Sequence, residues 1–365
     1  MRDATNDTVR SNNAMNAGPV TDKPVCVTGA SGFIASHIVQ QLLQSGYRVL
    51  GTVRKDKTSY PFLTELPGAD ERLELVRAQL LEEGVFDEVV ARCDYVLHTA
   101  SPYVLDVEDP QKDLVEPAVN GTTNVLAACK KAGGVKRVVL TSSIAAITDQ
   151  PDSSHVYTED DWNDRSSLSR NAYYYSKTLA ERAAWDYLEK EAKGAFELVV
   201  INPSIVIGPS LTKALNTSKQ VFVDMFTGRL PGILNISWGY VDVRDVARAH
   251  ILAMEAESAQ GRNLCAAKTI SMRDVVQLLR DNGYAGYKLP TRNLAGKVCD
   301  QVVKLGSYLQ PKGVGTYLRT HIGRVPNFDN SKIQRELGLE FRPIEETILD
   351  TVKDLQRWGQ VAASV

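Results

Sequence analysis

The stretch Val25-Cys26-Val27-Thr28-Gly29-Ala30-Ser31-Gly32-Phe33-Ile34-Ala35 decides the fold. Val25 to Thr28 are β-branched or small, the composition of a short buried strand. Gly29, Gly32 and Ala35 follow with the spacing G-x-x-G-x-x-A. From Phe33 to Ser45 the apolar residues Ile34, Ile38, Val39 and Leu42 recur three or four apart, a helical period. Strand, glycine turn and helix in succession give a glycine pattern its meaning. Gly29 permits a tight turn, and Gly32 has no side chain to hold a pyrophosphate off the backbone. Unpaired N–H groups and the dipole at the helix start favour an anion there. The stretch predicts a dinucleotide site, with Gly29, Ser31, Gly32, Phe33 and Ile34 as its first contacts.

Strand and helix signals alternate outward from this turn. Strands are expected at Tyr47–Val53, Leu73–Val76, Tyr95–His98, Lys136–Leu140 and Glu197–Ile201, and helices at Phe86–Ala91, Asp113–Ala132 and Tyr173–Glu191. Short apolar strands separated by helices describe an α/β fold. The sheet is doubly wound, parallel and of Rossmann type, covered on both faces, with ligands outside the carboxyl ends of its strands. After Pro203 the rhythm loosens, with Gly208-Pro209, Gly228, Pro231-Gly232, Pro290 and Pro311 punctuating short segments. The expected division is a nucleotide-binding domain over 23–203, with a returning segment near 236–260. A smaller, irregular substrate-binding lobe covers most of 204–365. Residues 1–22, rich in Asn, Asp, Thr and Ala without an apolar run, read as a disordered tail.

Bulk properties exclude several classes. The chain of 365 residues is 43% hydrophobic and 24% charged, ordinary for a globular protein. A net charge of −2 gives no electrostatic footprint for nucleic acid or an anionic membrane, and no run of 18 apolar residues spans a bilayer, so neither nucleic acid nor a membrane is expected as a partner. Five cysteines without a C-x-x-C read as reduced thiols in a cytoplasmic protein, and five scattered histidines lack metal-ligand spacing, so no metal is expected.

The nucleotide is read from the end of the second strand. An acid about 20 residues beyond the glycines would bond a ribose 2′-hydroxyl. This chain has Gly51-Thr52-Val53-Arg54-Lys55-Asp56-Lys57 there. Arg54, with Lys57 nearby, suits a 2′-phosphate through charged, planar contacts, which favours NADP over NAD.

The chemistry is read from Tyr173-Tyr174-Tyr175-Ser176-Lys177. Tyr173 and Lys177, four apart on a helix, share a face. An ammonium about 4 Å from a phenol, at an effective dielectric of about 20, contributes roughly 4 kcal/mol. That is equivalent to about three in pKa and brings a phenol of pKa about 10 near neutrality. Ser142 and Ser143 follow the fifth strand, at the carboxyl edge where a ligand belongs. A serine hydroxyl there can hold a carbonyl oxygen against the tyrosine, although a T-S-S run also serves as a turn cap.

Together these segments resemble the extended short-chain dehydrogenase/reductase superfamily, and within it the dihydroflavonol reductase, cinnamoyl-CoA reductase and fungal ketone reductase group. The resemblance runs from about Pro24 to the C-terminus. It is carried by Val27–His37, His98–Pro102 (H-T-A-S-P), Val138–Ser143, Tyr173–Glu181, Asn202–Pro209 (N-P-S-I-V-I-G-P), Tyr240–Ala247 and Asp329–Gly338. It implies that Tyr173 is the general acid, that Lys177 holds the nicotinamide ribose and lowers the tyrosine pKa, and that Ser143 is the catalytic serine. It further implies that Thr99, Ala100 and Ser101 meet the middle of the cofactor, that Pro203 to Val206 line the nicotinamide pocket, and that Leu80 meets the adenine. Gln79 stands before Leu80 where relatives carry Asp. Thr148 replaces the Asn or Asp of plant dihydroflavonol reductases, which argues against a flavonoid. Asn171–Lys177 half matches the cinnamoyl-CoA reductase signature N-W-Y-C-Y-G-K, which weighs against a CoA thioester.

The expected activity is NADPH-dependent reduction of a small-molecule ketone or aldehyde to an alcohol, by a monomer or homodimer. A sugar-nucleotide epimerase or hydroxysteroid-type dehydrogenase is the alternative within the superfamily. A non-catalytic NADP-sensing regulator is the alternative of another class, since a fold does not dictate function.

Overall fold

The structure, a computed structural model, describes residues 19–101 and 107–362. Seven parallel strands form the main sheet: β1 (Val25–Thr28), β2 (Val49–Val53), β3 (Leu73–Arg77), β4 (Tyr95–His98), β5 (Arg137–Thr141), β6 (Glu197–Pro203) and, after a shorter β7 (Ile205–Ile207) and β8 (Ser237–Asp242), β9 (Gly261–Cys265). The spatial order is β9-β6-β5-β4-β1-β2-β3. The chain therefore winds outward from β1 in one direction and from β4 in the other, and the carboxyl ends of β1 and β4 flank the switch point where a ligand crevice opens.

Alternation along the strands fills two layers. Val25, Val27, Leu97, Val139 and Ile201 pack on one face, against helices α1 (Phe33–Gln44) and, later in the chain, Val243–Glu255. Cys26, Val96, Val138, Leu140 and Val200 pack on the other, against α2 (Glu116–Ala132) and α3 (Ala172–Lys190). With both faces covered, every residue of β1, β2 and β5 is buried, and the strands read as continuous apolar runs.

The second lobe is built on its own core, where Phe222 and Phe226 of α4 (Thr217–Thr227) meet Trp238, Tyr240, Val276 and Ile348. The segment expected to return near 236–260 divides. β8 pairs with β7 and with β10 (Lys268–Ser271) in a separate three-stranded sheet. The following helix α5 (Val243–Glu255) lies on the main sheet, and β9 adds the seventh strand beside β6. The polar start of β9, Gly261-Arg262-Asn263, offers no apolar run to read.

Of the tail expected over 1–22, residues 1–18 lie outside the described residues, as does Pro102 of the H-T-A-S-P segment. Residues 20 and 21 are held: Val20 N–H donates to the Tyr47 hydroxyl at 3.2 Å, and Thr21 Oγ1 to Asp94 at 2.9 Å. All five cysteines are free, four of them buried. Among the described residues no helix is long and apolar enough to cross a membrane.

Candidate active site

At the end of β1, Gly29 takes φ +65°. A Cβ there would come within 3.1 Å of Ala100 Cβ, so conformation and close approach both exclude a side chain. The turn is pinned from β2: Gly29 N–H donates to Thr52 Oγ1 at 3.1 Å and Ala30 N–H to the Thr52 carbonyl at 2.8 Å. Gly32 caps α1, with no side-chain cap bond and no acid in the first turn. The first N–H groups of α1 thus meet neither a capping oxygen nor a competing carboxylate, which suits an anion.

Thr28 ties this turn to the exit of β4. Its Oγ1 accepts from Thr99 and Ala100 N–H at 3.1 Å each and lies 2.7 Å from His98 Nδ1. With its acceptor positions taken, the hydroxyl donates to Nδ1, which puts the imidazole proton on Nε2. Burial holds the His98 pKa down to about 3, with the Lys177 charge adding to the effect, so this ring is neutral at working pH.

Helix α3 carries Tyr173, Lys177 and Glu181 at successive intervals of four, on one face. Tyr173 is half-buried, its ring edge-on to Tyr174 at 6.1 Å. Lys177 is buried; desolvation brings its pKa down to about 8 against the opposing pull of the Glu181 carboxylate. Glu181 is enclosed and accepts from Ser142 Oγ (2.5 Å), Asn202 Nδ2 (2.8 Å) and Arg262 Nε (2.5 Å). Arg262 reaches the carbonyls of Glu159 and Asp161 at 2.7 and 2.5 Å and stacks on Trp162 with 3.9 Å to the ring centroid. This set gives a buried charge pair the partners it needs.

The two serines part ways. Ser142 is turned to Glu181, whereas Ser143 Oγ accepts from Ala145 N–H at 3.1 Å and caps the 3-10 turn Ile144–Ala146. The capping bond leaves the Ser143 O–H proton available to another acceptor. Ala100, Ser101, Thr141, Ser142, Lys177 and Glu181 line one small cavity, so residues from β4, β5 and α3 that are far apart in sequence converge.

The other expected cofactor residues lie just beyond β1, β2 and β3, at the end of β6 and on β7. Arg54 and Lys57 are exposed just beyond β2. Leu80 packs on α2 at Gly121, where a Cβ would approach its side chain to 2.6 Å. Pro203 ends β6 in register with Cys265, and Val206 pairs with Val241 within the three-stranded sheet. Ile34 is half-buried against the first core layer, and Ser31 is half-buried in the turn. Phe33 faces the second lobe, 5.6 Å from the buried Lys219 ammonium, which Asp354 holds at 2.6 Å.

Glu181, Asn202 and Asn171 stood inside quoted motifs, but only the fold gives them neighbours. Arg262 carried no local signal, being 81 residues from Glu181.

Comparison with known proteins follows the same lines. A family model described as "NAD dependent epimerase/dehydratase family" matches residues 25–266. The chain is similar to cinnamoyl-CoA reductase CAD2 of Medicago truncatula, 42% identical, with 91% of this chain and 95% of that protein covered. It is also similar to tetraketide alpha-pyrone reductase 1 of Arabidopsis thaliana, 38% identical over 93% of this chain and 97% of that one. Among solved structures it resembles the yeast methylglyoxal/isovaleraldehyde reductase Gre2 complexed with NADPH, with a TM-score of 0.77, 34% identity, and 93% and 100% of the two chains covered.

Proposed function

The chain belongs to the NAD dependent epimerase/dehydratase family, and we propose that it reduces a ketone or aldehyde to an alcohol with NADPH. The observation that carries this reading is the convergence of Ala100, Ser101, Ser142 and Lys177 on one cavity beside the face of α3 that bears Tyr173. The relatives named as reductases, one of them solved with NADPH, support it.

The residues present fit the cofactor. Gly29 is a cradle that a Cβ would fill, and the uncapped start of α1 suits its pyrophosphate. Arg54 and Lys57 would hold the 2′-phosphate, Thr99 to Ser101 the middle, Leu80 the adenine side, and Pro203 and Val206 the nicotinamide side. When bound, NADPH supplies the hydride.

The chain's own residues do the rest. Ser143 donates its O–H to the carbonyl oxygen and fixes it beside the phenol. Tyr173 gives its proton to that oxygen as negative charge develops there. Lys177, charged below a pKa of about 8, favours the phenolate left behind and so lowers the cost of the transfer. Glu181 and Arg262 hold α3 and the strand ends in register beneath them.

A CoA thioester is a second reading, favoured by the similarity to cinnamoyl-CoA reductases. A continuous assay of nicotinamide absorbance over ketones, aldehydes, a hydroxycinnamoyl-CoA and a sugar nucleotide tests both. NADPH consumption with a ketone or aldehyde supports the first. Consumption only with the thioester, releasing free CoA, moves the assignment to the second. Sugar inversion without net oxidation, or NADPH binding without any turnover, overturns both.

A further inference from the structure

The basic, apolar face of the second lobe between residues 297 and 314 has no role in the chemistry above. Helix α6 (Met272–Leu279) is followed by α7 (Lys297–Gly306), a single turn at Ser307–Leu309, and α8 (Lys312–His321). On α7, Asp300 and Val303 face the protein: Asp300 is buried and accepts from Asn235 Nδ2 at 2.8 Å, and Val303 packs on the lobe's core. The opposite side presents Val298, Val302 and Leu305, spaced as one helical face and 78, 64 and 74% exposed. Tyr308, Leu309 and Val314 extend it, Leu309 being 90% exposed. Six of the twelve large apolar side chains exposed among the described residues fall in these 17 positions; the other six are scattered. A concentration of this kind marks an interaction surface.

Charge identifies the partner. From Tyr287 to Phe328 the sequence carries four lysines and three arginines against one acid, Asp300, within a chain whose net charge is −2. Asp300 is turned inward, and none of the seven bases forms an ion pair among the described residues. Lys297 and Lys312 are exposed beside the apolar face and Lys304 is half-buried there. The Arg319 guanidinium lies 4.2 Å from the Tyr308 ring centroid and donates to Ser307 Oγ at 3.0 Å, at the rim of this face. A second copy of the chain across a two-fold axis would set these lysines against their own counterparts. Residues 1–18 offer only Met1, Val9 and Met15 as large apolar side chains, too few to cover the face.

We infer that α7 and the turn after it dock on an anionic lipid surface, with Val298, Val302, Leu305 and Leu309 entering the interface and the lysines meeting lipid phosphates and carboxylates. Apolar side chains on one face of a helix, flanked by unpaired cations, suit the boundary between headgroups and acyl chains. The whole-chain charge conceals this, because the surplus is local.

The test is co-sedimentation of the full chain with vesicles of phosphatidylcholine alone and of phosphatidylcholine with phosphatidylserine. Binding is expected to the second only, and to fall at least about fivefold when salt is raised to screen surface charge. Val302→Glu/Leu305→Glu is expected to abolish binding, and Lys304→Glu/Lys312→Glu to weaken it about tenfold or more, both with unchanged thermal unfolding. No preference for the anionic vesicles, or full binding by the Val302→Glu/Leu305→Glu variant, overturns the proposal. So does sedimentation equilibrium showing a dimer that this variant dissociates, which would assign the face to a second copy.

Discussion

Asn171 Nδ2 donates to Thr320 Oγ1 across 3.2 Å, joining the residue that precedes the helix of Tyr173 to helix α8 of the second lobe. The same amide donates to Asp149, which is buried and paired with Arg170 at 2.8 Å. Asn171 is the one non-glycine at positive φ among the described residues, at +47°. Asparagine tolerates that conformation better than other side chains. One residue thus sets both the entry of the helix that bears Tyr173 and Lys177 and its distance from the lobe.

Replacing it separates those roles. Asn171→Gly keeps the left-handed backbone and loses the side-chain bonds; Asn171→Ala loses both. Both variants are expected to lower kcat, with Ala less stable than Gly by about 1 kcal/mol. Denaturant unfolding and steady-state kinetics measure this; equal stability of the two would show that the backbone conformation is unstrained.

Tyr173→Phe removes the phenolic hydroxyl and keeps the ring. It is expected to lower kcat about 10²- to 10⁴-fold, with NADPH affinity unchanged. Ser143→Ala is expected to lower kcat in the same direction, whereas Ser142→Ala, which strips a donor from Glu181, is expected to act on stability. Full activity of Tyr173→Phe on the best carbonyl substrate would remove the phenol from the mechanism.

Arg54→Ala tests the nucleotide. A charge-assisted contact to a 2′-phosphate contributes about 1.5–3 kcal/mol. The KM for NADPH is therefore expected to rise by roughly tenfold or more and that for NADH to change little. Equal effects on the two would place the 2′-phosphate elsewhere.

The Glu181–Arg262 pair is enclosed on all sides, with side-chain exposures of 0 and 6%. Arg262→Ala leaves an uncompensated buried carboxylate and is expected to destabilise by about 3–5 kcal/mol. Arg262→Met combined with Glu181→Gln is expected to recover a large part of that loss. A double variant no better than the single would mean that packing on Trp162, rather than charge, is what Arg262 contributes.

Two pH responses follow from burial. Lys177 is charged below about 8 and neutral above, so carbonyl reduction is expected to fall as pH rises through that value. His98, His250 and His321 are held by burial at about 3, 4 and 4, below their ordinary 6.5. The unfolded chain binds more protons than the fold between those values. Their contribution to stability is complete above about 6.5 and is lost as pH falls toward about 4 for His250 and His321 and about 3 for His98. Thermal unfolding from pH 8 to pH 4 measures this; a flat Tm below 6.5 would contradict the neutral assignments.

The amino-acid sequence by itself determined six of the seven strands of the main sheet and named the candidates for the first half of the site. The strand–glycine–helix turn at Val25–Ala35 and the pair Tyr173–Lys177 are local patterns: a short apolar run, a period of 3.6 and a spacing of four. Each can be read without knowing what lies across the molecule. Tertiary structure alone decided that β8 leaves for a smaller sheet while β9 completes the larger one, because Gly261–Cys265 begins with polar residues and shows no apolar run. It alone gave Glu181 the guanidinium of Arg262, turned Ser142 away and left Ser143 its proton, and set Asn171 against Thr320. The bonds of Ser142 and Arg262 to Glu181 and of Asn171 to Thr320 join residues 39 to 149 positions apart. A buried charge or a hydroxyl takes its role from whichever partner the packing of distant strands brings within about 3 Å, and no local periodicity encodes that distance.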